Sequence, residues 1–353
     1  MVCLELEELG RAGYDEGLQV IDTDGDGLDE TWMFGDQDET AHIGRMDILE
    51  GTGWMMSRVA WVNGSFPRLG WLDGDAWVDL VVYRAGTGPH DGVYEMHLGI
   101  EGGFDPEPTP TPWGLGVMGS PLDIDRDGST DMFLSRYGSG GVYELWLGDP
   151  AGISVLASEL PLPELDSYPD VLAAREPNWM VVGTEVRGSH GSCSETMVRT
   201  LELQGASLEL VDELSLADAW RIIDAWDDDG DGRPDVLTLH CEDGGTYEVL
   251  QHRTQPGSPS PVSLATGVVG PMVITADLDG DGSVELLWAD TEDAVWIRRG
   301  GPAGLGEPQQ ATLTTMEPLW ARAVGDFDGD GRERVLVRDS ERSYALLGES
   351  PCP

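Results

Sequence analysis

Residues 277–285 read DLDGDGSVE, which sets carboxylates at Asp277, Asp279 and Asp281, a glycine at Gly282 and a further carboxylate at Glu285. Acids at every second position can converge on one point. Gly282 tolerates the positive φ needed to turn the backbone around that point. The Ser283 carbonyl and the Glu285 carboxylate can close a shell of about six or seven hard oxygens, which suits Ca²⁺; Mg²⁺ demands stricter octahedral geometry and keeps its waters. Bare carboxylates ~4 Å apart repel by a few kcal/mol per pair at moderate effective dielectric. So dense a cluster is hard to account for as plain surface.

The spacing excludes the helix–loop–helix alternative. That motif needs a Glu at loop position twelve, and here the position holds Trp288, with Met33, Leu134, Thr238 and Val337 in the related stretches. The flanks, PMVITAD before and VELLWAD after, read as β-strands. A nine-residue loop between two strands is therefore expected.

The stretch recurs. DTDGDGLDE begins at Asp22, WLDGDAWVD at Trp71, DIDRDGSTD at Asp123, DDDGDGRPD at Asp227 and DFDGDGRER at Asp326. The step from Asp123 to Asp227 is 104 residues, about twice the others, so an eroded copy should fall midway. VLAAREPNW at Val171 fits: MVVG follows it as MFLS follows DIDRDGSTD. Seven units of 48–56 residues then fill the chain. In each, an apolar run leads into the loop, a second follows it, and a Gly-rich turn precedes a third run such as GVYELWLG (141–148); a weaker fourth run ends the unit. Short strands with this punctuation argue for all-β structure, and four strands per ~50-residue repeat for a propeller. The fold expected is a single domain, residues 1–353, a seven-bladed β-propeller of four-stranded blades. The last unit supplies only three runs before Pro353, and VCLELEEL at residues 2–9 alternates like a strand. That strand is expected to complete the last blade and close the ring. Cys3 and Cys352 would then meet across the closure, and Cys193 with Cys241 could bridge units four and five; four cysteines allow three pairings.

The acidic loops, with the Gly-rich turns GGPAGLGEP (300–308), LGDPAGI (147–153) and LGIEGGFDP (98–106), resemble FG-GAP/VCBS-repeat β-propellers, the architecture of the integrin α-subunit head. The resemblance spans all seven units. It implies structural Ca²⁺ in loops between the first and second strands of each blade, on one face of the disc. Full ligand sets by this match are Asp22, Asp24, Asp26, Glu30; Asp123, Asp125, Asp127, Asp131; Asp227, Asp229, Asp231, Asp235; and Asp277, Asp279, Asp281, Glu285. The loop at 326 keeps Asp326, Asp328 and Asp330 but carries Arg334 at position nine, which weakens or abolishes a site unless Glu333 swings in. The loop at 71 has Trp71 first and keeps only Asp73, Asp75 and Asp79; the loop at 171 has no set. Four to six ions are expected. The family is functionally mixed, and fold does not settle function.

The formal charge is −46, from 66 acids against 20 basic residues, all Arg. The six acidic loops hold 25 acids and four Arg, so metal sites account for only about half of the imbalance. Such a surface repels nucleic acid and anionic membranes. No run approaches the ~20 apolar residues of a membrane span. Paired cysteines and Ca²⁺ cages suit an oxidising compartment. The expectation is a secreted, extracellular or periplasmic chain, a monomer, whose leader was removed and replaced by Met1. A lipid anchor on Cys3 is the alternative to its disulfide.

The six histidines form no H-E-x-x-H motif, and no G-x-S-x-G elbow or P-loop occurs. Among the 13 Trp, Trp32, Trp146, Trp179, Trp288 and Trp296 fall in strands and read as packing, whereas Trp71, Trp77 and Trp226 lie in or beside acidic loops and could be partly exposed. The function expected is non-catalytic: a calcium-stabilised scaffold for a protein or glycan ligand. A lectin is one alternative, and a polysaccharide hydrolase or lyase on a propeller is another.

Overall fold

In the computed structural model the described residues are 2–11, 17–21, 28–37, 40–49, 53–63, 65–84, 93–101, 103–111, 117–136, 142–148, 155–161, 170–187, 194–242, 246–254, 261–292, 294–301, 304–312, 320–338 and 343–350. Every regular element among them is a β-strand.

The strands pair antiparallel in groups of four along the chain. Unit one comprises Gly17–Ile21, Glu30–Gln37, Thr40–Leu49 and Gly53–Asn63. Unit two comprises Ser65–Gly70, Asp79–Arg84, Val93–His97 and the two-residue Thr109–Pro110. Unit three comprises Val117–Leu122, Asp131–Arg136, Val142–Leu147 and Val155–Pro161. Units four to six share strands. Asp170–Ala173, Trp179–Arg187 and Ser194–Gln204 are followed by Ser207–Trp226, whose first half ends unit four and whose second half opens unit five. Asp235–Cys241 and Tyr247–His252 lead to Val262–Ala276, which passes in the same way into unit six with Glu285–Asp290, Val295–Arg298 and Gln309–Thr312. Each shared strand changes sheets near a left-handed residue, Asp218 (φ 58°) or Gly267 (φ 65°). A residue in that conformation breaks the pleat and redirects the chain.

The last group is Trp320–Gly325, Arg334–Arg338 and Ser343–Ser350 joined by Val2–Arg11. The N-terminal strand runs antiparallel to Ser343–Ser350, with Leu6 opposite Leu347 and Cys3 opposite Ser350. It also meets Gln309–Thr312 of unit six in parallel at Val2 and Cys3. The strand expected over 2–9 is thus present and runs on to Arg11.

Second strands are continuous apolar runs because both of their faces are covered. Leu287 packs with Val335, Val337 and Leu347 of unit seven, while its neighbours Leu286 and Trp288 pack with Trp226, Leu237 and Val249 of unit five. Phe133 likewise meets Met180 and Val182 of unit four, and Met132 and Leu134 meet Val81 and Tyr94 of unit two. The core is therefore a series of clusters between adjacent units. The first strands also touch in sequence, Gly17–Ile21 to Ser65–Gly70 and onward through each unit to Trp320–Gly325, which touches Gly17–Ile21 again.

Candidate metal-binding loops

Each acidic loop joins the first strand of a unit to the second, so its two ends are fixed by a paired ladder. The first Asp organises the turn. Asp277 accepts from the N–H groups of Gly280 (2.9 Å), Asp281 (3.1 Å) and Gly282 (2.9 Å), and Asp227 from Gly230 (2.7 Å), Asp231 (3.0 Å) and Gly232 (2.7 Å). The fifth-position carboxylates accept from the residue two further on, as in Asp127 with Ser129 at 2.7 Å and Asp281 with Ser283 at 2.8 Å. Such Asx turns need backbone that doubles back, and positions four and six supply it with positive φ at Gly230 and Gly232, Gly280 and Gly282, and Gly329 and Gly331. In the loop at 123 position four is Arg126, held at φ 58° without a glycine's freedom.

The structure draws together Asp123, Asp125 and Asp127; Asp227, Asp229 and Asp231; Asp277, Asp279 and Glu285; and Asp326, Asp328 and Asp330, with one oxygen from each residue within 4.8 Å of the others. Asp73, Asp75 and Asp79 are not brought together in this way. Asp22, Asp24 and Asp26 lie outside the described residues, whereas Glu30, the ninth position of that loop, is buried.

The four clusters differ in what faces them. At the 123 cluster the Asp123 Oδ1 atom is buried with no hydrogen-bond partner, and burial, with Asp125 and Asp127 nearby, raises the Asp123 pKa. An orphaned anionic oxygen in an all-oxygen donor set fits a hard divalent cation. At 277, Arg299 Nη1 donates to Asp279 Oδ2 at 2.7 Å, and at 227 Arg253 Nη1 lies 3.3 Å from Asp229 Oδ2. Each of these arginines meets the third-position Asp and also lies near enough to the ninth-position acid, Glu285 or Asp235, to favour its charged form. At 326 the ninth-position Arg334 turns into the cluster, bonding Asp328 and lying 3.7 Å from Asp330. Glu333 does not swing in to compensate; its Oε2 accepts from the Asp277 N–H of the neighbouring loop at 2.7 Å. The Arg334 guanidinium therefore already neutralises part of the 326 cluster, which weakens its fit to a cation.

Position nine has a structural duty that the spacing does not reveal. Asp131 is fully buried, its Oδ2 accepting from Ile124 N–H at 2.8 Å and its Oδ1 from Gly148 N–H at 2.9 Å. Asp79 repeats this with Leu72 (2.7 Å) and Gly99 (2.8 Å), and Glu285 with Leu278 (2.8 Å) and Gly300 (3.2 Å). The carboxylate staples its own loop to the end of the third strand. Only glycine fits there: a Cβ on Gly99, Gly148 or Gly300 would stand 2.4–2.5 Å from the carbonyl oxygen of Val78, Thr130 or Val284. Burial is the main cause that pushes the pKa up to about 6 in Asp79 and to about 7 in Asp131, Asp235 and Glu285.

Position eight links units. Asp29 N–H donates to the Asp326 carbonyl at 2.9 Å, and Asp29 Oδ2 accepts from Asp326 N–H at 2.8 Å. Glu333 and Asp277 form the same reciprocal pair, and so do Thr130 and Trp71, through Thr130 Oγ1 at 2.9 Å. One of these pairs joins unit seven to unit one.

Trp32, Trp179 and Trp288 are buried as expected, and Trp288 stacks on Trp296. Trp226 was expected to be partly exposed and is not: at 6% exposure it belongs to the core between units five and six, its Nε1 bonding Asp228. Trp77 does stand out, 43% exposed. Cys241, ending the second strand of unit five, is disulfide-bonded. Cys193 and Cys352, the expected partners of Cys241 and Cys3, lie outside the described residues.

Residues 227–288 and 277–337 match the family model for an FG-GAP-like repeat, which bears out the resemblance read from the sequence. Among solved structures the chain is similar to BBS1N, crystallised in complex with ARL6DN and soaked with lead, at 11% identity and a TM-score of 0.53, over 98% of this chain and 99% of that one. It is also similar to a putative 6-phosphogluconolactonase from Bacteroides uniformis, at 13% identity and a TM-score of 0.49 over 80% of each chain. A third likeness is to a protein from Lactobacillus plantarum, at 13% identity and a TM-score of 0.47, covering 99% and 96%. At these identities the first bears on the fold alone, and the two lower-scoring ones carry no argument. No curated protein matches the chain.

Proposed function

We propose that this chain, which carries FG-GAP-like repeats, is a seven-bladed β-propeller that holds Ca²⁺ in the loops of one face and serves as a non-catalytic binding scaffold outside the cytosol. The sequential contact of first strands, returning from unit seven to unit one, and the pairing of the two chain ends support a closed ring. The reading of the loops rests on the convergent carboxylates at 123, 227 and 277, with the buried, unpartnered Asp123 Oδ1 as the observation that carries it. Asp123, Asp125 and Asp127 would hold one ion, Asp227, Asp229 and Asp231 a second, and Asp277, Asp279 and Glu285 a third. The loop of Asp22, Asp24, Asp26 and Glu30 would hold a fourth by its matching sequence. A bound cation supplies the counter-charge that lets these acids ionise together and fixes the loops against their strands.

A ligand would be a protein or a glycan. Trp77 is 43% exposed and shares its loop with Asp73 and Asp75, Asp75 Oδ1 accepting from the Trp77 N–H at 2.7 Å; an exposed indole in an acidic loop is the chemistry that stacks on a sugar ring. A hydrolase or lyase would need carboxylates free to move protons. Two that meet on an arginine, Asp224 and Glu333 at Arg175, are engaged otherwise: Asp224 Oδ1 accepts from Ala225 N–H at 2.7 Å and its Oδ2 from Thr275 and Arg175. The disulfide at Cys241 supports an oxidising compartment, and a Cys193–Cys241 bond would join units four and five. No helix among the described residues is long and apolar enough to cross a membrane. A glycan array probed in Ca²⁺ and again in EGTA tests recognition: Ca²⁺-dependent binding lost in Trp77→Ala supports the glycan reading, and binding to no glycan in either condition removes it.

A further inference from the structure

Unit four lacks a carboxylate set, yet its loop is not inert. By sequence count the fifth position of VLAAREPNW, an Asp in every other loop, is Arg175; in the structure the first strand stays paired further along, to Ala173 opposite Met180 and Ala174 bonded to Trp179, so the loop is shortened and Arg175 stands at its start. Its Nε donates to Asp224 Oδ2 at 3.0 Å, on the first strand of unit five. Its Nη2 donates to the Thr275 carbonyl at 3.5 Å, on the first strand of unit six, and its Nη1 lies 3.5 Å from Glu333 Oε2, in the loop of unit seven. The partners are themselves tied together. Thr275 Oγ1 donates to Asp224 Oδ2 at 2.5 Å, and Glu333 Oε2 accepts from Asp277 N–H at 2.7 Å. The Arg175 main chain adds a bond from its N–H to the Ala225 carbonyl at 3.0 Å.

One side chain thus reaches three following units, which is possible only where their first strands converge. Two partly buried carboxylates from different units would repel there without a counter-charge; the Asp224 and Glu333 side chains are 14% and 33% exposed. A guanidinium suits the position because its planar fork presents donors in several fixed directions, whereas an ammonium is a point charge.

We propose that Arg175 is the ring's built-in cation: the unit that gave up its metal loop supplies a fixed positive charge that ties units four to seven together independently of divalent ions. The proposal rests on the ring arrangement but not on calcium occupancy. The test is thermal melting of the full chain as wild type, Arg175→Met, Arg175→Lys and Asp224→Asn, each in CaCl₂ and in EGTA. Arg175→Met should lower the melting temperature by at least about 3 °C, by the same amount in both buffers. Arg175→Lys should recover less than half of that loss. Asp224→Asn should also lower it, and the Arg175→Met, Asp224→Asn double variant should fall short of the sum of the two losses. If Arg175→Met does not fold, the Asp224→Asn loss, equal in both buffers, is the supporting result. A wild-type melt for Arg175→Met or for Asp224→Asn, or a loss confined to CaCl₂, would overturn the proposal. The wild-type difference between CaCl₂ and EGTA reports separately on the metal loops.

Discussion

Chelation should reverse the sign of the protein's response to acid. Asp131, Asp235 and Glu285 are buried with pKa values pushed up to about 7, and Asp79 to about 6, chiefly by burial. An acid whose folded pKa exceeds its unfolded value adds stability that is complete below the unfolded value and lost as pH rises through the folded one. Without a cation, lowering the pH from about 7.5 to about 5.5 protonates these groups in the folded state while the unfolded chain stays ionised. Each group near 7 then contributes about 2 kcal/mol and Asp79 about 1 kcal/mol. His252 opposes them. Burial, with His240 beside it, lowers its pKa to about 4, so its contribution is complete above the ordinary histidine value and fades as pH falls toward 4. Over this window it subtracts about 1 kcal/mol, leaving a net gain on the order of 5–6 kcal/mol. At about 2.1 cal/mol/K per residue of unfolding entropy, that raises the melting temperature of the chelated chain by roughly 7 °C. With Ca²⁺ bound in the loops of Asp131, Asp235 and Glu285 these three carboxylates are held ionised and protons compete with the metal; Asp79, in a loop without a converged set, keeps its gain of about 1 kcal/mol, and acid should on balance lower the melting temperature. Differential scanning calorimetry across this range, in EGTA and in CaCl₂, gives both slopes. A chelated protein that loses stability between pH 7.5 and 5.5 would refute the reasoning.

Gly300→Ala would set a Cβ 2.5 Å from the Val284 carbonyl oxygen and 2.8 Å from Ser283 Cβ. It should cost about 2–3 kcal/mol in urea unfolding. Gly301→Ala, with nothing within 4 Å, should stay within about 0.5 kcal/mol of wild type. Arg126→Gly relieves a left-handed residue on an exposed turn and should stabilise by about 0.5–1 kcal/mol, read as a higher urea midpoint at unchanged slope. Asp29→Ala leaves the Asp326 N–H without its 2.8 Å acceptor between units seven and one and should cost about 1–2 kcal/mol; faster amide exchange at Asp326 than in wild type would locate the loss.

The sequence pattern made the interior of each unit legible. Periodic acids and apolar runs located the loops at 123, 227 and 277, the eroded copy at Val171 and the strand at residues 2–9 because these features repeat within one chain segment. Contacts between units were not legible, since residues 50 or more positions apart meet there. Glu333 read as a spare ligand for its own loop and instead serves Asp277 next door. Arg175 read as erosion and instead meets three other units. Trp226 read as a loop residue and instead fills the core between units five and six. The glycines closing the third strands, Gly99, Gly148 and Gly300, carried a signal that position alone could not interpret. Their recurrence is visible in the sequence, but the carbonyl each must clear belongs to the preceding loop.

The central claim, that acidic loops on one face each clasp a divalent ion, meets its most direct test in the number of Ca²⁺ ions bound per chain, measured by equilibrium dialysis with metal analysis. Four are predicted, for the loops beginning at Asp22, Asp123, Asp227 and Asp277. The count should fall to three in Asp125→Ala and stay at four in Asp328→Ala. A wild-type chain that binds none would contradict the account.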